Sequence, residues 1–262
     1  QPGSGERGIA LIVVLWLTVM ITVIGSSFAY SMRGEALAAR NTLSVAQQAA
    51  QSIRPGTVYL DLNSASPGTK QACAALIDAA GGIYVEAGVM TSVPPYGIKV
   101  PMLLGGAQSQ SLAASLQAWG LDAKSVSDKL GVASAIKMSR SVMIKGLEAL
   151  VIESYATARA YGVEAHVLPT LQETFPQIDW SLQGGYFFRR VVQHGKRRAE
   201  EMREAANTVK EAGFEPYMAL ATANKQQWVA DQAAQGVFQH LPKDASWQDY
   251  ADCLLAARQQ GL

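Results

Sequence analysis

The amino-acid sequence predicts an α/β region followed by an all-α region, with a hydrophobic helix ahead of both. Three observations predict this. Strand-like and helix-like stretches alternate between residues 53 and 132. From residue 133 to residue 262 every patterned stretch is helical. Residues 9 to 30 carry no charged side chain. The sequence therefore divides into residues 1–50, 53–132 and 133–262.

The first segment, "IALIVVLWLTVMITVIGSSFAY", is long enough to cross a hydrocarbon core, which takes about 20 helical residues. A secretory signal has a shorter apolar region and a small-residue cleavage site. A core helix, the alternative, normally keeps a polar face, and this segment has none.

The α/β region opens with "GTVYLDLNSASPG", a strand run into turn residues. Val58, Leu60 and Leu62 alternate with Tyr59 and Asp61, and the run is apolar enough for a buried strand. "TKQACAALIDAAGG" reads as a helix closed by glycine. "IYVEAGVM" is a second strand. "TSVPPYGIK" is a loop, because Pro94, Pro95 and Gly97 do not continue a ladder. "VPMLLGG" is a third strand and "SQSLAASLQAWG" a helix. The sheet is thus expected to have about three strands.

After Ser134 a long helix runs to Gly162, its expected stop. Ile136, Met143, Leu147, Leu150 and Val151 recur at helical spacing and predict its buried stripe. Four more helical stretches follow: "HVLPTLQETF", "GGYFFRRVVQHGKRRAEEMREAANTVKEAG", "EPYMALATANKQQWVADQAA" and "WQDYADCLLAARQQG". Trp180, Trp228 and Trp247 lie in apolar helical contexts and are expected in the core.

Net charge is +1, which makes no case for nucleic acid. "RRVVQHGKRRAEEMRE" is basic, but acids interleave at helical spacing, as on a solvated helix face. His194 and Arg198 within it are alternatively placed to reach an anionic substrate. Cys73 and Cys253 sit in apolar helical runs and read as two buried thiols. No CxxC or HExxH spacing occurs, so no metal site is expected.

One constellation carries chemistry. Lys137, Ser141, Lys145 and Glu148 fall at i, i+4, i+8 and i+11 and share a helix face. Spacing alone fits a solvated face as well as a site. A desolvated lysine has a lowered pKa, which suits a general base. Asn63 and Ser64 either contact substrate or cap the helix after Pro67.

Two resemblances bear on these residues. "RGIALIVVLWLTVMITVIGSSFAYSMRGEALAARNTLSVAQ" resembles the N-terminus of K-type minor pseudopilins of type II secretion. The resemblance implies cleavage after Gly8, with Ile9 as the new N-terminus and Val13 where most pilins carry Glu. It implies a structural protein anchored in the inner membrane through residues 9–30.

The second is broader. "DLNSASP", "VEAGVM...VPMLLGG" and "ASAIKMSRSVMIKGLEAL" resemble the β-hydroxyacid dehydrogenase superfamily, which includes 6-phosphogluconate and 3-hydroxyisobutyrate dehydrogenases. The tail "HGKRRAEEMREAANTVKEAGFEPYMA" looks like a subfamily whose C-terminal domain has no assigned function. The resemblance covers residues 53 to 250. It implies a partial Rossmann-like domain over 53–132 and a helical domain over 133–262 that forms a homodimer. It implies NAD or NADP as cofactor, a small hydroxy acid as substrate, and a cytoplasmic body. Lys137 takes the position of the catalytic lysine. Asn63, Ser64, Ser141, Lys145, His194 and Arg198 become substrate-binding candidates.

The sequence departs from the family in four places. Ser141 replaces an Asn, Asn63-Ser64 replaces Ser-Thr, and "MTSVPPYG" replaces a Ser-Gly-Gly loop. The strand, G-x-G-x-x-G turn and helix that hold a pyrophosphate are not found in that order, since the one match to the spacing, Gly3, Gly5 and Gly8, leads into the apolar run instead of following a strand, so weak cofactor binding is expected. The two resemblances together read as a fusion of unrelated segments.

Overall fold

The computed structural model describes residues 41–259. The apolar run, Gly8, Ile9 and most of the pseudopilin-like stretch lie outside the described residues. Among the described residues no helix is long and apolar enough to cross a membrane.

Residues 41–50 are helical (α1). They pack Ala46 and Leu43 against Cys73, Ala74, Ile77 and Tyr84. The sheet region follows as β1 (Val58–Asp61), α2 (Pro67–Ala79), β2 (Ile83–Val89), α3 (Val93–Tyr96), β3 (Met102–Gly105), α4 (Ser109–Ala118) and β4 (Ala123–Ser127). The helical region comprises α5 (Val132–Tyr161), α6 (Glu164–Thr174), α7 (Trp180–Glu211), α8 (Tyr217–Ala234) and α9 (Trp247–Gln259).

The sheet has four strands in the order β1-β2-β3-β4, not three. The fourth, "AKSVS", shows little apolar alternation, and only Ala123 in it is buried. It forms by pairing with β3 rather than by burying a face. β1 and β2 are parallel, β2 and β3 antiparallel, and β3 and β4 parallel. The C-terminal ends of β1 and β2 therefore share one edge of the sheet, and the loop after β1 opens there. The proline loop between β2 and β3 closes with the short α3 and a 3-10 turn at Gly97–Lys99.

Burial in β1 differs from the alternation. Val58 and Leu62 are exposed, and the buried residue is Asp61. β1 lies at the edge of the described sheet, so its apolar side chains have fewer partners. Asp61 goes inward because it has specific partners, given below.

α5 stops at Gly162, which adopts the left-handed conformation (φ 67°, ψ 30°) that glycine reaches without penalty. Its buried face matches the predicted stripe only in part, at Val151, which is buried, and Leu147, which packs against the core. Ile136, Met143 and Leu150 are exposed, while Met138, Ser141, Lys145, Glu148, Ile152 and Tyr155 are buried. The inward face is partly polar because α7 supplies counter-charges for it and Gln226 of α8 a hydrogen bond. Small residues bring these helices close together: a Cβ on Gly195 of α7 would lie 2.6 Å from the Gln226 carbonyl oxygen of α8.

The helical core gathers Tyr155, Trp180, Phe188, Trp247 and Tyr250. Trp180 and Trp247 are buried as expected, but Trp228 is 42% exposed. Its ring lies under the Lys225 ammonium, 5.1 Å from the centroid, so a cation covers it instead of the core. Cys73 and Cys253 are free buried thiols.

Candidate functional site

The site begins at the end of β1. Asp61 is 2% exposed. Lys70, from the first turns of α2, places its ammonium 3.0 Å from Asp61 Oδ2 and also donates to the Asp61 carbonyl. Tyr84, beside it on β2, donates its hydroxyl to the same carboxylate. Asn63 donates its backbone N–H (2.9 Å) and its side-chain amide (2.7 Å) to Asp61 Oδ1, an Asx turn. Burial pushes the Asp61 carboxyl up, but Lys70, Tyr84 and Asn63 outweigh it and hold it below its usual value. Burial also lowers the Lys70 ammonium, with Asp61 opposing.

This cluster fixes the loop that presents Ser64. Lys137 donates to Ser64 Oγ over 2.5 Å. Asn63 is thus a loop former turned onto Asp61, and the helix cap is Ser66, which accepts from the Thr69 N–H at 3.3 Å.

Lys137 is placed from the other side by β2. Glu86 accepts from the N–H groups of Gly131 (2.8 Å), Ala133 (3.0 Å) and Ser134 (3.4 Å). These are the unpaired donors of the first turn of α5, where a carboxylate also favours the helix dipole. Two residues along β2, a Cβ on Gly88 would lie 3.1 Å from the Ala133 carbonyl oxygen and 3.5 Å from Lys137 Cβ. Glycine there lets α5 lie close on the strand and brings Lys137 over the sheet edge.

Burial pushes the Lys137 ammonium down to about 8. Glu201 opposes that shift, while Lys145, Lys70 and Arg197 add to it. Desolvation disfavours the charged form and nearby cations do the same.

Ser141 and Lys145 continue the face. Lys145 donates to Ser141 Oγ at 3.1 Å and pairs with Glu201 Oε2 at 2.8 Å. Arg197 binds the other Glu201 oxygen. Deeper still, Glu148 pairs with Arg198, lies 3.4 Å from Arg190 Nε and accepts from Gln226 at 3.2 Å.

The structure thus brings Ser64, Lys137, Ser141 and Lys145 to one place. Arg198 is buried against Glu148, and His194 is on the exposed side of α7. Partial burial, then Arg197, Arg190 and Arg198, keep the His194 imidazole below its usual pKa.

Sequence reasoning missed Lys70, Tyr84, Glu86, Glu201, Glu204 and Glu211. Two had signals. Lys70 shares a helical register with Cys73, Ala74 and Ile77, the buried stripe of α2. Glu86 is a lone carboxylate in an apolar strand.

The pyrophosphate of a dinucleotide binds at a helix N-terminus, and those of α2 and α5 meet at Pro67 and Gly131 beside the β1 loop. That of α2 is filled by the chain's own carboxylates. Glu204 accepts from the Ser66 N–H (2.8 Å), and Glu211 accepts from Ser66 Oγ (2.6 Å) and the Gly68 N–H (2.9 Å). That of α5 is filled by Glu86. Carboxylates of the chain itself thus occupy both ends, where the phosphate of a ligand would otherwise sit. No group of three or more His, Cys, Asp or Glu that could hold a metal occurs among the described residues.

Comparison with known proteins places the chain. Residues 158–229 match a domain of unknown function, DUF1932. A conserved hypothetical protein from Sinorhizobium meliloti 1021 is 38% identical, with a TM-score of 0.69 over 81% of this chain and 70% of that one. The conserved protein MTH1747, described as structurally similar to 3-hydroxyacid dehydrogenases, is 29% identical, with a TM-score of 0.60 over 74% and 73%. An uncharacterized 28.5 kDa protein from Methanothermus fervidus is 28% identical over 171 residues, and the match spans 64% of each chain. This chain therefore matches less than two thirds of that relative's length. The pseudopilin likeness gains no support from these matches.

Proposed function

We propose that this chain, which belongs to the family of the Sinorhizobium meliloti protein and is similar to MTH1747, itself described as similar to 3-hydroxyacid dehydrogenases, uses Lys137 as acid and base at the oxygen of a small alcohol or carbonyl substrate. The observation that carries the reading is Lys137 itself. Its amine is desolvated, has a pKa near 8, and is held on Ser64 in the one loop that reaches it from β1.

In this reading Ser64 orients the amine through its hydroxyl. A substrate hydroxyl approaching Lys137 gives its proton to the neutral amine as the carbonyl forms, and the ammonium returns it in the reverse direction. Small hydroxy acids are the substrate class the resemblance carries, yet the chemistry at Lys137 requires only the hydroxyl or carbonyl. NAD or NADP is the hydride acceptor implied by the family. The described residues account for the path of the proton and not for that of the hydride.

The reading divides the body near residue 132, where the sheet gives way to α5. It also includes a homodimer through the helical region. Met143 and Leu150, 73% and 54% exposed on α5, are apolar surface that such a dimer would bury.

The test is the pH dependence of turnover by the full chain, supplied with excess NAD or NADP and small hydroxy compounds. Oxidation needs the neutral amine, so its rate is expected to rise with pH through about 8. Reduction needs the ammonium, so its rate falls over the same interval. A rate with no inflection between pH 7 and 9, a window set about that pKa, contradicts the assignment.

A further inference from the structure

The cations on the buried side of Lys137 are already committed, while Arg140, the exposed one a turn along α5, donates to the Met90 carbonyl. Lys145 pairs with Glu201 at 2.8 Å, with the two side chains only 8% and 15% exposed. Arg197 takes the other oxygen of Glu201. Lys70 pairs with Asp61, and Arg198 and Arg190 both face Glu148. Lys137 is the remaining ammonium at the loop, and it is bonded only to a neutral hydroxyl.

A hydroxy acid needs a cation for its carboxylate while Lys137 works on its hydroxyl. The residue at hand is Lys145, two helical turns along the same face of α5. Its charge is spent on Glu201, in a place where water screens little. An incoming carboxylate would meet Glu201 at like charge or would have to displace it. Lys137 cannot serve both ends, because as a base it must be neutral.

Resting on the proposed function above, we infer that Glu201 sets the charge preference of the Lys137 site, so that the substrate is uncharged where it faces Lys145. The class is a small alcohol, aldehyde or ketone bearing an amide, ester or hydroxyl there instead of a carboxylate. Glu201 is then a specificity residue: with it the site refuses an anion, and without it Lys145 becomes an anion anchor.

The experiment uses the full chain at pH 8. Lys137 is acetylated by acetic anhydride and the extent is read by peptide mass spectrometry. Two probes compete, 3-hydroxypropanamide and 3-hydroxypropanoate, which share a hydroxyl and a length but differ in charge. The amide is expected to protect Lys137 at concentrations at least about tenfold lower than the acid, a factor that corresponds to about 1.4 kcal/mol. Glu201→Gln is expected to reverse the order. Lys145→Met, which leaves Glu201 facing the site with Arg197 as its partner, is expected to weaken the acid further and spare the amide. This second variant keeps the test open should Glu201→Gln fail to fold. Equal or better protection of the wild-type chain by the acid overturns the inference, as does an unchanged order in both variants. Free acetylation of Lys137 with protection by neither probe overturns the proposed function beneath it.

Discussion

Replacing Lys137 by methionine is expected to lower turnover by roughly 10²–10⁴-fold, the usual worth of a positioned acid or base. Methionine keeps most of the stem and removes the amine, so the fold should not suffer. Burial already works against the Lys137 charge, and the lost bond to Ser64 is a single one. Thermal melting of Lys137→Met is therefore expected at or above that of the parent. Lys137→Arg should not restore the rate, because a guanidinium stays protonated at working pH. Initial-rate assays check both, and a loss under tenfold in Lys137→Met would remove the amine from the chemistry.

The second large effect is on stability. Lys70 and Asp61 have side chains 1% exposed, and each is the other's counter-charge. Removing one partner of a buried pair costs about 3–5 kcal/mol, because it strands the other. Lys70→Met and Asp61→Asn should each lose about that much in urea unfolding. Together they should cost clearly less than their sum, since no stranded charge remains. Asp61→Asn carries a second consequence. Asn63 is folded onto that carboxylate, so the loop loses its anchor and Ser64 its place on Lys137. Additive losses in the double variant would show that the pair acts as two independent groups.

How much of this was legible in the sequence depends on whether a residue's partner was near in the chain. Lys137, Ser141 and Lys145 were legible as a set, because helical spacing puts them on one face wherever the helix packs. The "DLNSASP" loop was legible through its family likeness, although its parts exchanged roles. Asn63 and Asp61 build the loop, Ser66 caps the helix, and Ser64 touches the lysine. The carboxylates were hidden for a different reason. Glu201, Glu204 and Glu211 recur among bases in a pattern that also describes a solvated helix. Their partners Lys145, Ser66 and Gly68 are on α5 and around the start of α2, and nothing local in α7 announces them.

The same reasoning explains the stripe on α5. Apolar periodicity assumes that the buried face is the greasy one. Here the face turned to α7 and α8 carries Ser141, Lys145 and Glu148, neutralised from across the interface, while Ile136, Met143 and Leu150 point outward. The fourth strand escaped because "AKSVS" is stabilised by its ladder with β3 and not by its side chains. Trp228 was read as core from its apolar neighbours, but its ring is covered by Lys225.

The fold desolvates Lys137, and in the proposed function that makes its amine a proton carrier near neutral pH. The most direct measurement is the titration of Lys137 itself, by NMR of isotopically labelled lysine in the full chain, with Lys137→Met to assign the signal. A midpoint near 8, well below the ordinary 10.5, is the expected result. A midpoint at the ordinary value would contradict it, and Lys137 would then be one more solvated cation on a long helix.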